Sequence, residues 1–176
     1  MSASDSPGLE IERVWVLRSM PEAIPQDAEV WTIEQGYMPL GANEASAHAG
    51  YPEGRLRRIV RSDGSEIFRH TTKRGSGMVR EEVERSIDAA EFRRWWPLTE
   101  GRRVEKTRHR IRVDGLVWEL DRFHSLPLVM LEVELPSPDA PARLPEWAAP
   151  LVVREVTEDA RYRNAALATG GLPSPP

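Results

Sequence analysis

Charged residues two positions apart recur along this chain, each pair inside a segment of strand length. The clearest case is the apolar run from Leu128 to Leu135, which is bounded by prolines and carries Glu132 and Glu134. Because side chains alternate across a strand, both glutamates share one face with Met130, and the other face is wholly apolar. Their carboxylates lie roughly 7 Å apart, so burying them is unfavourable unless a cation lies nearby. The pattern therefore favours a sheet with one apolar and one charged face.

Further segments repeat this spacing, and turn signals separate them. Ser62-Asp-Gly-Ser65 and Asp114-Gly115 are typical of hairpin turns. Repeated short strands joined by such turns favour an antiparallel barrel or sandwich. The predicted strands are 9–17, 30–38, 55–61, 66–73, 78–87, 102–113, 116–123 and 128–135. The charged pairs are Glu10 with Glu12, Arg55 with Arg57, Glu82 with Glu84, Lys106 with Arg108, Glu119 with Asp121, and Glu132 with Glu134, while Lys73 stands two residues after Thr71.

Helices are expected to be few and short. Asp88 followed by Glu91 predicts a capped helix that ends at Pro97. Thr157 predicts the start of a last helix that runs to about residue 168. The remaining expectations are a short helix at 21–29, a mobile loop at 39–54, an extended proline-rich connector at 136–150, and disordered ends at 1–8 and 169–176. Residues 9–168 then form a single domain.

Composition excludes several classes of protein. The net charge of −4 gives no support for a nucleic-acid surface, and no apolar run reaches membrane-spanning length. With no cysteine there is no disulfide framework, and the first eight residues do not resemble a signal peptide. We therefore expect a cytoplasmic protein. Its four histidines are scattered and form no ligand cluster.

The charged faces can point in two directions. If they face solvent, the apolar faces form one core and the ion pairs contribute little. If they face the inside of a barrel, carboxylates and basic groups share an enclosed space. Carboxylate oxygens suit Mg²⁺ or Mn²⁺, and guanidinium and ammonium groups suit phosphate oxygens. An interior with both is what a complex of a metal ion with a polyphosphate requires.

A resemblance to a known family favours the second direction. Glu10-Ile-Glu12-Arg-Val14 resembles the ExExK signature of the CYTH, or triphosphate tunnel metalloenzyme, superfamily. The chain resembles the bacterial branch of small inorganic triphosphatases over about residues 9–168. The other matching motifs follow in order: Gln35-Gly-Tyr37, Arg55-Leu-Arg57, Thr71-Thr-Lys73, Arg80-Glu-Glu82-Val-Glu84, Glu105-Lys-Thr-Arg108, Trp118-Glu-Leu-Asp121, Leu131-Glu-Val-Glu134 and the segment from Arg154 to Tyr162.

The resemblance implies an α+β, mainly β fold: an eight-stranded antiparallel closed barrel with short flanking helices and a C-terminal helix. It implies hydrolysis of a triphosphate, foremost inorganic tripolyphosphate, with Mg²⁺ or Mn²⁺. It also implies residue roles. The metal ligands are Glu10, Glu12, Glu132 and Glu134; the substrate-binding residues are Arg55, Arg57, Lys73, Lys106, Arg108 and Arg154; the catalytic residues are Glu10, Glu12 and Lys73; and further tunnel acids are Glu82, Glu84 and Asp121.

The chain departs from the family signature at Val14, where the family has lysine. Arg13 does not replace it, because neighbouring residues on a strand point to opposite faces. Arg110 and Arg112 share the face of Arg108 and are candidates to compensate. Thiamine triphosphatase activity, adenylate cyclase activity and non-catalytic binding of polyphosphate or nucleotide stay open as alternatives. No nucleic-acid or membrane partner is expected, a homodimer is left open, and the sequence does not identify the general base.

Overall fold

A computed structural model describes residues 8–39, 53–74 and 77–173. Within these ranges the chain is mainly β. Two α-helices are present, α1 (Ala89–Trp95) and α2 (Asn164–Gly170), with short 3₁₀ segments at Trp96–Thr99, Ala149–Leu151 and Ala160–Tyr162. The strands are β1 (Gly8–Leu17), β2 (Glu29–Tyr37), β3 (Arg55–Arg61), β4 (Glu66–Arg74), β5 (Val79–Ser86), β6 (Arg103–Val113), β7 (Leu116–Phe123), β8 (Val129–Glu134) and β9 (Val152–Glu155).

Strands β1 to β8 close into an antiparallel barrel in the order β5-β4-β3-β2-β6-β7-β8-β1, and β1 pairs with β5 to complete the ring. Strand β1 makes this closure possible because it changes partners along its length. Gly8–Ile11 pair with β5, whereas Glu12–Leu17 pair with β8. The short strand β9 pairs with Trp15–Leu17, beyond the end of the β5 pairing. The predicted eight-stranded closed barrel is confirmed.

Apolar side chains cover the outside of half the barrel. They come from alternate positions of β1, β6, β7 and β8, opposite to the charged pairs, and they include Trp15, Trp118 and Leu131. The rings of Trp15 and Trp118 lie 5.6 Å apart, centroid to centroid. The connector at 136–151 packs over this surface through Trp147 and Ala148. As predicted, this connector contains no α-helix. It shields an outer core that would otherwise lie in water.

Helix α1 covers a second outer surface. Asp88 caps it as predicted, because its carboxylate accepts a hydrogen bond of 2.7 Å from the backbone N–H of Glu91. The buried Phe92 and Trp95 pack with Leu56, which points outward from β3. Pro97 ends the α-helix in a 3₁₀ turn. The helix therefore buries the outer face of the sheet, and the inner face stays available to charged groups.

Two local predictions are wrong, and one strand was not predicted. Residues 21–28 contain no helix, since Pro21 and Pro25 each remove a backbone donor. Thr157 does not cap the last helix: its hydroxyl accepts from the backbone N–H of Val14 at 3.0 Å, and α2 begins at Asn164 and extends to Gly170, into the predicted tail. Strand β9 was missed, because four residues give too short an alternation.

Other expectations lie largely outside the described residues, namely the ends of the chain at 1–7 and 174–176 and the loop at 40–52. Among the helices that the structure does describe, none is long and apolar enough to cross a membrane.

Candidate active site

The inside of the barrel holds a cavity of about 1260 Å³. Each of the eight barrel strands contributes lining residues, and nearly all the charged pairs point inward. The alternative in which the charged faces lie in solvent is therefore excluded. The charged residues of the strands that line the cavity are Glu10, Glu12, Arg55, Arg57, Lys73, Arg80, Glu82, Glu84, Arg108, Arg110, Glu119, Glu132 and Glu134.

One group of ion pairs joins β1, β4 and β5. The ammonium of Lys73 lies 2.6 Å from one oxygen of Glu10 and 2.8 Å from Glu82. The guanidinium of Arg80 lies 3.1 Å from the other oxygen of Glu10 and also contacts Glu12. The barrel closure explains this grouping, because Glu10 lies directly across from Arg80 and Lys73 directly across from Glu82.

A second group lies deeper, on β6, β7 and β8. Lys106 and Asp121 are fully buried and lie 2.5 Å apart, Nζ to Oδ2. Arg108 binds both oxygens of Asp121, at 2.7 and 2.6 Å, and contacts Glu132 at 2.7 Å and also Glu119. Burial opposes the ionisation of Asp121, but Arg108 and Lys106 outweigh it and lower its pKa to about 2. Burial, followed by the charge of Arg108, lowers the pKa of Lys106.

Carboxylates predominate where β1 meets β8. Burial raises the pKa of Glu12 to about 7, helped by the negative charges of Glu132 and Glu10. Burial likewise raises the pKa of Glu134, with Glu10 adding to the effect. These oxygen donors have the chemistry that Mg²⁺ and Mn²⁺ prefer. Within the described ranges no three Asp, Glu or His side chains already form a ligand cluster. The donor set fits a divalent cation, but its present ion pairs would have to open.

Cations predominate on β3. Burial, with the like charges of Arg55 and Arg108, lowers the pKa of Arg57 to about 10. Arg57 has no carboxylate within ion-pair distance among the described residues, and its Nε lacks a hydrogen-bond partner there. Arg55 donates to the hydroxyl of Thr71 at 3.1 Å and lies 3.8 Å from Glu84. An incompletely paired guanidinium inside the cavity is suited to an anionic ligand.

Three predicted site residues do not line the cavity. Lys106 and Asp121 lie behind Arg108, where they support it. Arg154 stands apart on β9, where it donates to the hydroxyl of Tyr162 at 2.7 Å and lies 3.8 Å from Asp159. The other predicted residues do line one space, and the roles assigned to them stay predictions.

Several lining residues were given no role from the sequence, although the same alternation identifies them. Trp31 and Tyr37 both face inward from β2. Arg110, named from the sequence as a candidate to compensate for Val14, also lines the cavity, where it lies 4.3 Å from the ring centre of Trp31 and pairs with Glu119. Arg112, the other candidate, is exposed and does not line the cavity. From the sequence, Arg80 was identified only as the first residue of the motif that contains Glu82 and Glu84. Which carboxylates it pairs with depends on the barrel closure, and the sequence does not show that.

The C-terminal segment occupies one end of the barrel. Leu167 of α2 and Val156 pack among the inward-facing Val14, Met130 and Phe123. The backbone also joins them, since Val156 donates to the carbonyl of Val14 at 2.8 Å. Val14, at the family's lysine position, is thus a buried contact for this segment.

Comparisons with known proteins agree with this architecture. No family model matches the chain. It is 38% identical over 164 residues to an inorganic triphosphatase of Nitrosomonas europaea, covering 90% of this chain and 96% of that protein. It is 39% identical over 66 residues to an inorganic triphosphatase of Acetivibrio thermocellus, covering 36% of this chain and 40% of that protein. The crystal structure of an inorganic triphosphatase superposes with a TM-score of 0.58 at 34% identity, covering 92% and 95% of the two chains.

A closed antiparallel barrel lined with carboxylates and cations defines the class of triphosphate tunnel proteins. Because the match to the Nitrosomonas protein extends over nearly the whole of both chains, this chain belongs to the CYTH family of triphosphate tunnel enzymes, in its inorganic triphosphatase branch.

Proposed function

We propose that this protein hydrolyses inorganic tripolyphosphate inside the barrel, with Mg²⁺ or Mn²⁺ as the metal ion. One observation carries the proposal: carboxylates and incompletely paired guanidinium groups converge on one cavity of about 1260 Å³. The relatives of this branch are named inorganic triphosphatases. The same cavity therefore has oxygen donors for a cation and nitrogen donors for a phosphate chain.

The cations of the cavity hold the substrate. Arg57 and Arg55 on β3 point guanidinium groups into one space, where they donate to phosphate oxygens. Arg108 on β6 faces the same space and donates to a phosphate oxygen once its ion pairs with Glu119 and Glu132 open. Lys73 adds an ammonium group from β4. Because the barrel wall keeps these donors in place, they stabilise the charge that develops on the phosphate oxygens without costly reorganisation.

The acids of β1 and β8 would hold the metal ion. Glu10, Glu12, Glu132 and Glu134, which line the cavity together, would supply its oxygen ligands. When bound, a divalent cation neutralises the charge of the phosphates that it contacts. Water then attacks the terminal phosphorus, the bridging P–O bond breaks, and the products are pyrophosphate and orthophosphate. The basic residues keep the chain in line for this displacement.

Orthophosphate release from tripolyphosphate, with Mg²⁺ or Mn²⁺ present, tests the proposal. Glu12→Ala is expected to reduce the rate at least tenfold, since it removes a metal ligand from the cavity. Glu34→Ala is the matched control, because Glu34 is also a strand glutamate paired with an arginine, Arg58, but lies on the outer face. Its rate should equal that of the wild-type protein. A wild-type rate no higher than that of Glu12→Ala would contradict the proposal.

Organic triphosphates are a second candidate substrate class. The cavity exceeds the roughly 300–1,000 Å³ typical of small-molecule sites, and the ring of Trp31 lies in its wall. A panel of tripolyphosphate, thiamine triphosphate and ATP, with cyclic AMP measured as a product of ATP, separates these activities. Turnover of thiamine triphosphate or ATP faster than that of tripolyphosphate would replace the first assignment.

Non-catalytic binding is the remaining candidate, and Val14 favours it because the chain lacks the family's lysine there. Calorimetry that shows metal-dependent binding of tripolyphosphate without any orthophosphate release would support this candidate. Release of orthophosphate by the wild-type protein would remove it.

A further inference from the structure

Arg80 holds together the two acids of the β1 signature. It lies on β5, directly across from Glu10 in the strand pairing. One guanidinium nitrogen lies 3.1 Å from Glu10 Oε2 and also contacts Glu12 Oε1. Arg80 is only 9% exposed, and its Nε has no hydrogen-bond partner among the described residues. The guanidinium of Arg80 therefore forms its ion pairs with these two acids.

Glu12 depends on Arg80 for its ion pair. Lys73 forms ion pairs with Glu10 and Glu82. Among the described residues, Glu12 therefore forms an ion pair with Arg80 alone. Position 14, on the same face of β1, is a valine buried against the C-terminal segment. The cation beside Glu12 therefore comes from a residue 68 positions away in sequence rather than from β1 itself.

We infer that Arg80 is a positioning residue, the internal counter-ion of the pair formed by Glu10 and Glu12, and that a divalent cation must displace it from Glu12 in order to bind. The inference rests on the proposed function. An oxygen that coordinates a cation gives up its hydrogen bond to Arg80, and the two positive charges repel each other. Arg80 thus holds the two acids adjacent in the metal-free barrel, and in doing so it weakens metal binding.

The measurement is Mn²⁺ binding by titration calorimetry in the absence of any phosphate substrate. Arg80→Gln is expected to lower the Kd for Mn²⁺ about tenfold, the effect of one charged contact that no longer has to be broken. Arg80→Lys retains the charge but loses the forked geometry, so its Kd should fall by less, about threefold. Arg58→Gln is the matched control, since Arg58 also bridges two glutamates, Glu34 and Glu66, but on the outer face. Its Kd should equal that of the wild-type protein.

Each outcome has a defined meaning. An unchanged or higher Kd in Arg80→Gln overturns the inference and leaves the proposed function intact, since it would show that Arg80 supports the ligands instead of competing with the metal. If Arg80→Gln does not fold, the sign of the shift in Arg80→Lys decides in the same way. Absence of Mn²⁺ binding in all variants overturns the proposed function as well. Binding by Arg80→Gln alone supports the inference.

Discussion

Asp121→Asn should destabilise the fold strongly, because it leaves the buried ammonium of Lys106 without a carboxylate and removes one of the three carboxylates that hold Arg108. Asp121 is fully buried and bonds to Lys106, also fully buried, and to Arg108, which is 5% exposed. Breaking one partner out of a buried ion pair costs about 3–5 kcal/mol. Its pKa of about 2 against the usual 3.8 corresponds separately to about 2–3 kcal/mol. We expect a loss of about 2–4 kcal/mol in the free energy of unfolding, or roughly 5–15 °C in Tm for a chain of this size.

Urea unfolding followed by tryptophan fluorescence measures this loss. Glu66→Gln is the matched control, because it makes the same change from carboxylate to amide at a side chain 41% exposed that pairs with Arg58 on the surface; its cost should stay within about 1 kcal/mol. The double variant Lys106→Met with Asp121→Leu should recover most of the stability, since the ammonium and its carboxylate are removed together while Arg108 keeps Glu119 and Glu132. A loss below 1 kcal/mol in Asp121→Asn would refute the reasoning, because it would show that Arg108 and Lys106 do not depend on this carboxylate.

Because the folded pKa of Asp121 lies below its unfolded value, its stabilisation is complete above about pH 4 and should be lost as pH falls toward 2; unfolding titrations of Asp121→Asn should lack this component. Arg57→Met should weaken calorimetric binding of tripolyphosphate at least tenfold, the cost of one charged contact, without lowering Tm, since Arg57 has no carboxylate partner among the described residues. Gly36→Ala should lower the free energy of unfolding, measured in urea, by about 1–3 kcal/mol, because the added Cβ would lie 2.6 Å from Thr99 Cβ. Gly64→Ala is the comparison: its added Cβ would meet open space, but its φ is +81°, so its cost reports backbone strain without crowding.

Much of the fold was predictable from the sequence, because alternation and turn chemistry act locally. Glu132 and Glu134 share a face whatever the rest of the chain does, since the period of a strand is two. Asp114 and Gly115 make a tight hairpin because both adopt positive φ, at 51° and 80°. The motifs around Glu10, Arg57 and Lys73 then pointed to a tunnel, and the family comparison agrees with that prediction.

Other features could not be predicted, because they depend on which strands meet. The sequence alone determined the faces of the strands, the hairpins and the set of charges that would share one side of the sheet. Only the tertiary structure decided that Arg80 forms an ion pair with Glu12. It also decided that Lys106 and Asp121 lie behind Arg108 rather than in the cavity, and that Val14 contacts the C-terminal segment. The physical reason is the distance in sequence over which each feature is set. Alternation depends only on neighbouring residues, whereas these ion pairs form only when the barrel closes and brings together side chains far apart in sequence.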